Sequence, residues 1–222
     1  MRPAERYLQV IPRPHGGPLA CGMTPSPPPS RLHLVLQPTF EEVYEPDFLW
    51  ETPLIRFVAY GRDDRVFGWV RLEADRLTDL LNGCEELHLE DAEIASHHDG
   101  ATSTPDEFVI NRRDLVAVHA SGPTGDETLR QPTRRYPIAL QSGDYLIGGH
   151  LHVLSEEEPM ASLQQRPAMI PLTQAWIEYW SGDERRHRST GTIIVNRDLA
   201  DWIRPVTERE LVAGYLRPIR SR

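Results

Sequence analysis

One hydrophobic pattern occurs twice in this chain, and a polypeptide that repeats a pattern of domain length is expected to fold as two like units. Phe57, Val66, Val70 and Leu72 recur 81 residues later as Ile138, Ile147, Leu151 and Val153, around the segments Asp63–Gly68 and Asp144–Gly149. At a spacing of 83, Leu77 and Leu80 recur as Met160 and Leu163. Leu87, Leu89, Ala92 and Ile94 recur there as Ile170, Leu172, Ala175 and Ile177. At a spacing of 85, Ile110, Asn111, Arg112 and Val118 recur as Val195, Asn196, Arg197 and Ile203. Each change of spacing falls in a polar segment, where loop length varies most freely.

Periodicity gives the local structure of one unit. Ile55, Phe57 and Ala59 alternate, Arg62, Asp63 and Asp64 supply a turn, and Val66, Gly68, Val70 and Leu72 alternate again, which reads as a hairpin. Asp75 is placed to cap a short helix from Arg76 to Asn82, with Gly83 where a left-handed residue would end it. In the second copy Pro159 to Gln165 takes that place. Leu87 and Leu89 share a strand face, yet Ala92 and Ile94 have the opposite parity, and the second copy switches the same way between Leu172 and Ala175. The strand is therefore expected to bulge or bend at that point in both copies. Loops at Ser96–Pro105 and Ser181–Gly191 precede the strands Phe108–Ile110 and Ile193–Val195, and a tight Asn-Arg turn leads to the last strand of each unit. The expected fold class is mainly β: two tandem small half-open barrels, each of about five strands with one short helix.

The rest of the chain frames these units. Residues 1–38 form a proline-rich tail that is expected to be disordered, with eight of the 20 prolines before residue 31, and Met23 is an alternative start to Met1. Residues 39–54 form an acidic arm carrying Phe40, Tyr44, Phe48 and Trp50. The first unit is assigned to 55–122, a linker to 123–135, the second unit to 136–206, and a helix with a basic tail to 207–222, where Thr207 and Glu210 make a capping box. All 24 cations are Arg against 33 acids, for a net charge of −9, which disfavours DNA, RNA and anionic membranes as non-specific partners. The absence of Lys excludes Schiff-base and P-loop lysine chemistry. Two cysteines, Cys21 and Cys84, are too few for a disulfide framework, and no apolar run is long enough to span a bilayer, so a cytoplasmic location is expected.

Val66, Gly68 and Val70, then Asn82, then Leu87, Leu89 and Ala92 resemble the first motif of Sm-like proteins. Ile110, Leu115 and Val118, and again Val195, Ala200 and Ile203, resemble the second. The resemblance covers roughly 55–120 and 136–204 and implies bent five-strand barrels; a general SH3-like barrel shares much of the spacing. In RNA-binding Sm-like proteins an Asn of the first motif and an Arg-Gly pair of the second hold base and phosphate. By that implication Asn82, Arg112 and Arg197 are the residues that inherit nucleotide contacts. Here Asn82 lies five residues before the strand core, Arg112 is followed by Arg113 instead of Gly, and the proline-rich tail stands where the family carries a helix.

The candidate contact residues for RNA or a partner are Asn82, Asn111, Arg112, Asn196 and Arg197. Two roles are open for the repeated Asn-Arg pair. In one, Asn bonds its own turn and Arg braces the barrel against a carboxylate; in the other, each Arg faces a groove and binds phosphate or a partner's carboxylate. His150 and His152 share a strand face, but two ligands do not make a metal site, and His97 and His98 fall in a loop expected to be solvated. There is no phosphate loop, nucleophile elbow or zinc-protease helix, so no catalytic residue, metal or cofactor is assigned. The function expected is a non-catalytic assembly or adaptor module acting through exposed sheet edges on a protein partner or on itself; the alternative is RNA binding.

Overall fold

The computed structural model describes residues 52–125, 128 and 131–213. The proline-rich tail, the alternative start, nearly all of the aromatic arm and the basic tail lie outside the described residues. Strand β1 (Leu54–Tyr60) and β2 (Asp64–Arg71) form the expected hairpin, followed by α1 (Leu77–Gly83), β3 (Glu86–Ser96), β4 (Thr102–Ser103), β5 (Phe108–Asn111) and β6 (Ala117–His119). The second half runs β7 (Thr133–Ser142), β8 (Tyr145–Leu154), α2 (Pro159–Gln165), β9 (Met169–Ser181), β10 (Glu184–Ser189), β11 (Thr192–Asn196), β12 (Trp202–Pro205) and α3 (Glu208–Ala213).

All pairings are antiparallel, and each half uses the same ones. In the first half β1 pairs with β2 and β6, and β3 with β2 and β5; in the second β7 pairs with β8 and β12, and β9 with β8 and β11. The halves are not separate closed sheets. Strand β6 pairs with β11, which makes a single 12-stranded sheet that remains open. Each unit also has a sixth strand where a loop is expected: β4 and β10 lie along the outer parts of β3 and β9. Nothing in the residues of β10, Glu-Arg-Arg-His-Arg-Ser, alternates in hydrophobicity, because the strand is exposed along its whole length.

The shared parity switch has a direct backbone cause. Asp91 and Gln174, at equivalent positions, are the described non-glycine residues with positive φ, 49° and 47°. Pairing shifts register opposite them, between Phe67 and Trp69 on β2 and between Gly148 and His150 on β8. A left-handed residue turns the next side chains over to the other face, so the strand bends across its partner. The partner must then be thin: a Cβ on Gly68 would lie 3.1 Å from the Glu90 carbonyl oxygen, and one on Gly149 2.9 Å from Leu172 Cβ.

Two buried clusters fill the two bends, and each takes residues from the other half. Met169 and Ile194 pack among the first-half residues around Phe57, Leu77 and Leu115. Tyr60, Val116 and Ala117 pack among the second-half residues around Ile147, Leu172 and Ile193. Strand β8 is buried on both faces because α3 covers its outer side, with Leu211 against Leu146 and Trp176 and the Trp176 indole donating to the Leu211 carbonyl at 2.9 Å.

Helix ends follow the sequence unevenly. The Thr207–Glu210 box forms, with the Glu210 carboxylate accepting from the Thr207 N–H at 2.7 Å and the Thr207 hydroxyl accepting from the Glu210 N–H at 3.2 Å. At α1 the expectation fails. Asp75 makes no cap, Arg76 is the capping residue and its guanidinium pairs with Asp79, and Gly83 ends the helix without a left-handed φ. Helix α2 is capped by Glu158, whose carboxylate accepts the N–H groups of Met160 and Ala161, with Pro159 opening the helix.

Candidate functional site

The joint between the halves is an interaction surface within the fold: β6 of one half pairs with β11 of the other, and each buried cluster takes residues from both. Ala117, Val118 and His119 lie opposite Val195, Ile194 and Ile193. The ladder is extended at one end by the Asn196 N–H to the Val116 carbonyl, 2.9 Å, and at the other by the Ala120 N–H to the Thr192 carbonyl, 3.1 Å.

Asn82, from the last turn of α1, closes this joint. Its side-chain carbonyl accepts the Met169 N–H at 3.0 Å, and its NH2 donates to the Met169 carbonyl at 2.9 Å and to the Thr78 carbonyl at 3.0 Å. The amide therefore serves as a one-residue strand partner for the start of β9. Asn196 also reaches across, donating to the Arg112 carbonyl at 3.4 Å, while its side-chain oxygen accepts the Asp198 N–H. Asn111 makes the equivalent turn bond to the Arg113 N–H at 2.9 Å.

The two turn arginines point into their own halves. Arg112 donates to the carbonyls of Asn82, 3.2 Å, and Leu81, 3.5 Å, and Arg197 donates to the carbonyl of Leu163. Carbonyls in the last turn of a helix lack intrahelical partners and carry the negative end of its dipole, which is where a cation is favoured. Bracing by these arginines thus uses helix carbonyls, not the carboxylate expected from sequence; Arg197 adds a contact with its neighbour Asp198 at 3.2 Å.

Beside the joint, rings from both halves meet: Tyr60, His97 and His119 from the first, Tyr145 and Tyr179 from the second, with centroids 4.9–6.5 Å apart. Tyr60 and His119 share a hydrogen bond of 3.0 Å, Arg65 donates to the Tyr179 hydroxyl at 3.1 Å, and the His97 carbonyl accepts the Gly182 N–H at 2.8 Å. His97 is thus half-buried, contrary to the solvated loop position expected for it, while His98 is exposed. Burial, reinforced by Tyr179, pushes the Tyr60 phenol up to about 12. Burial also pushes His97 and His119 below their ordinary value of 6.5; Arg65 adds to this at both, and Arg188 and Arg56 at His119, while Asp64 and Asp63 partly offset it at His97.

These depressed values fix the sign of a pH effect. As pH falls through the ordinary histidine range, the unfolded chain takes up protons before the folded one, so the stability present above that range is progressively lost below it. His152 is lowered in the same sense, by burial and Arg135. The melting temperature is expected to fall on acidification from pH 8 to pH 5, and His119→Gln is expected to flatten that dependence. A melting temperature independent of pH across this window would contradict the burial of these rings.

The remaining candidates stand apart from the joint. His150 is buried and its Nε2 meets both Glu208 oxygens at 3.1 Å, and His152 sits between the Thr133 and Thr173 hydroxyls. Among the described residues no three His, Cys, Asp or Glu side chains are grouped to hold a metal, and no helix is long and apolar enough to cross a membrane.

Each half repeats the joint's components at an edge that has no partner strand among the described residues. Strand β5 is equivalent to β11, and β12 to β6. Ile194, in the joint, is 0% exposed; Val109, its equivalent, is 47% exposed. Gln165 occupies in α2 the place of Asn82 in α1 and is exposed. No family model, curated protein or solved structure matches this chain.

Proposed function

We propose that this protein is a non-catalytic assembly module, built as two Sm-like half-open barrel repeats, that joins copies of itself by pairing the β5 edge of one protomer with the β12 edge of the next. The observation that carries this reading is the β6–β11 joint inside the chain: the same two kinds of edge already associate there, and among the described residues one of each has no partner strand. Carrying the internal register over places Phe108 opposite Arg204, Val109 opposite Ile203 and Ile110 opposite Trp202 in the neighbouring protomer. Gln165 would then reach the backbone of Glu86 as Asn82 reaches Met169. Exposed sheet edges are ready pairing sites, and Val109 adds apolar surface that a second strand would cover. Pro205 stands at the equivalent of Ala120 and has no N–H to donate, so this contact lacks one ladder bond of the internal joint and is reversible where the internal joint is permanent.

The test is the mass of the full chain by light scattering over a wide concentration range. Species above the 25.3 kDa protomer, with mass rising with concentration or closing at a fixed number of copies, are expected. A protomer mass at every concentration overturns self-assembly and leaves an adaptor for a different strand-donating protein. The competing RNA reading draws on the turn residues, but the Asn82 amide is engaged by Met169, Arg112 and Arg197 donate to helix carbonyls, and the net charge is −9. It requires single-stranded RNA to be retarded at low ionic strength, with affinity falling steeply as salt is added.

A further inference from the structure

Helix α3 leads into an open groove on the outer face of the sheet. Glu208 meets His150, and Leu211 packs on Leu146 and would lie 2.8 Å from a Cβ placed on Gly148. His150, Gly148 and Leu146 alternate on one face of β8, so α3 runs along that strand toward the β7–β8 turn at Gly143 and Asp144. On β9, Trp176 lies under Leu211 and is 6% exposed; Trp180, further along the same face, is 53% exposed. Two adjoining clefts of about 230 and 260 Å³ share Asp144, Tyr145, Tyr179 and Trp180. The first reaches back to Leu146 beside α3, and its Glu178 is already bonded to Arg185 and His187. The second lies where the hairpin tips of the two halves meet, and Asp63, Asp144, Asp183 and Arg62 line it beside His97 and His98. Those three acids and Arg62 are exposed, and none of their side chains has a hydrogen bond or ion pair among the described residues. Carboxylates thus outnumber guanidinium groups three to one in that cleft.

We propose that this groove is a binding site for an arginine-bearing peptide segment, and that its occupant is residues 214–222 of the same chain. That segment, Gly-Tyr-Leu-Arg-Pro-Ile-Arg-Ser-Arg, carries three arginines, no acid and the apolar side chains of Tyr215, Leu216 and Ile219. It follows directly on α3, which already covers the near end of the groove at Leu146 and Trp176. Four residues of strand put Trp180 about 13 Å beyond Trp176. Nine extended residues reach about 30 Å, enough to pass Trp180 and arrive at Asp183. Each cleft is smaller than the pockets that take small molecules, about 300–1,000 Å³, and suits single side chains of an extended segment. One arginine over the Trp180 ring and others on the carboxylates of Asp144, Asp183 and Asp63 use both features of the groove, aromatic face and charge. Asp63 comes from the first half and Trp180 and Asp183 from the second, so the segment ties the halves together across the end of the joint. The contact lies on the face of the sheet, away from the β5 and β12 edges, and does not depend on self-assembly.

The readout is the indole N–H resonance of Trp180 in the isotope-labelled full chain, assigned by its loss in Trp180→Phe. The variant Arg217→Ala/Arg220→Ala/Arg222→Ala should shift this resonance, leave that of Trp69 in place and melt cooperatively, since the folded core is untouched. A synthetic peptide of residues 214–222, added to that variant at the millimolar level a short tether provides, should return the resonance saturably to its parent position. Adding Asp63→Asn/Asp144→Asn/Asp183→Asn to the same variant should weaken peptide binding about tenfold or more, because three exposed charge pairs are lost together. Asp106→Asn, an exposed acid outside both clefts, should leave binding as it was. Unlabelled parent chain should not restore the resonance of the labelled arginine variant, its own segment being already docked. Restoration by the parent chain would assign the occupant to a second copy and overturn docking within one chain. A Trp180 resonance that is the same in parent and arginine variant, no saturable return with the peptide, or equal peptide affinity in the triple Asn variant overturns the site.

Discussion

Replacing Ile194 by Asp is expected to cost about 4 kcal/mol or more and to leave little cooperative folding, whereas the same replacement at Val109 changes stability by only about 0.5 kcal/mol. The two positions are equivalent in the two halves, carry similar β-branched side chains and differ chiefly in environment. Ile194 is 0% exposed, packs with the first-half cluster and lies opposite Val118 in the joint. A carboxylate there would be buried without a partner, at a cost comparable to the whole stability of a typical domain. Val109 sits on the open β5 edge, where an Asp stays hydrated. Its effect should fall on association instead: in the proposed contact the apolar pairing of Val109 with Ile203 of the next protomer becomes a carboxylate that must leave water to face the Ile203 side chain. Thermal melting and light scattering on the same two samples separate the outcomes. If Val109→Asp assembles like the parent, the β5 edge is not the contact; if Ile194→Asp melts like the parent, the internal joint does not hold the halves.

What the sequence made legible is what local pattern and repetition can carry. The hairpin at Arg62–Asp64, the parity switch now seated at Asp91 and Gln174, the bonding of Asn111 and Asn196 to their own turns, and the Thr207–Glu210 box all depend on residues close in the chain. The joint was not legible. Strand β6 is three residues long, its pairing with β11 spans more than 70 residues, and no periodicity reports which strand an edge will choose. Asn82 and Met169 are 87 residues apart, and an Asn ending a helix looks the same whether it faces water or a neighbouring strand. Strand β10 escaped because it buries nothing. His97 escaped because its ring is held by Tyr60, Tyr145 and Tyr179, a cluster assembled only when the halves meet. The repetition itself carried one usable correspondence: Val109 reads as a strand residue like Ile194, and among the described residues only Ile194 has a strand on each side.

Asn82→Ala is expected to destabilise the chain by about 2–4 kcal/mol, the second largest effect of a single change. Met169 is 1% exposed, and removing the amide strips its N–H and its carbonyl of their partners together. Each buried backbone group left unsatisfied costs about 1–3 kcal/mol. Asn82→Asp distinguishes this latch from simple loss of packing. Its carboxylate still accepts the Met169 N–H but faces the carbonyls of Met169 and Thr78 with no hydrogen to give. Those carbonyls hold the introduced carboxyl above its unfolded value, so protonation restores the donor. The variant should regain stability as pH falls through the carboxylate range and lose it again as pH rises through the folded value. Asn82→Ala, with no group to protonate, should show no such recovery relative to the parent. Gln165→Ala is the control, because that amide is exposed in a single protomer; its loss should leave melting unchanged and weaken association alone. Equal melting temperatures for Asn82→Ala and Gln165→Ala would mean that the Asn82 amide holds nothing across the joint.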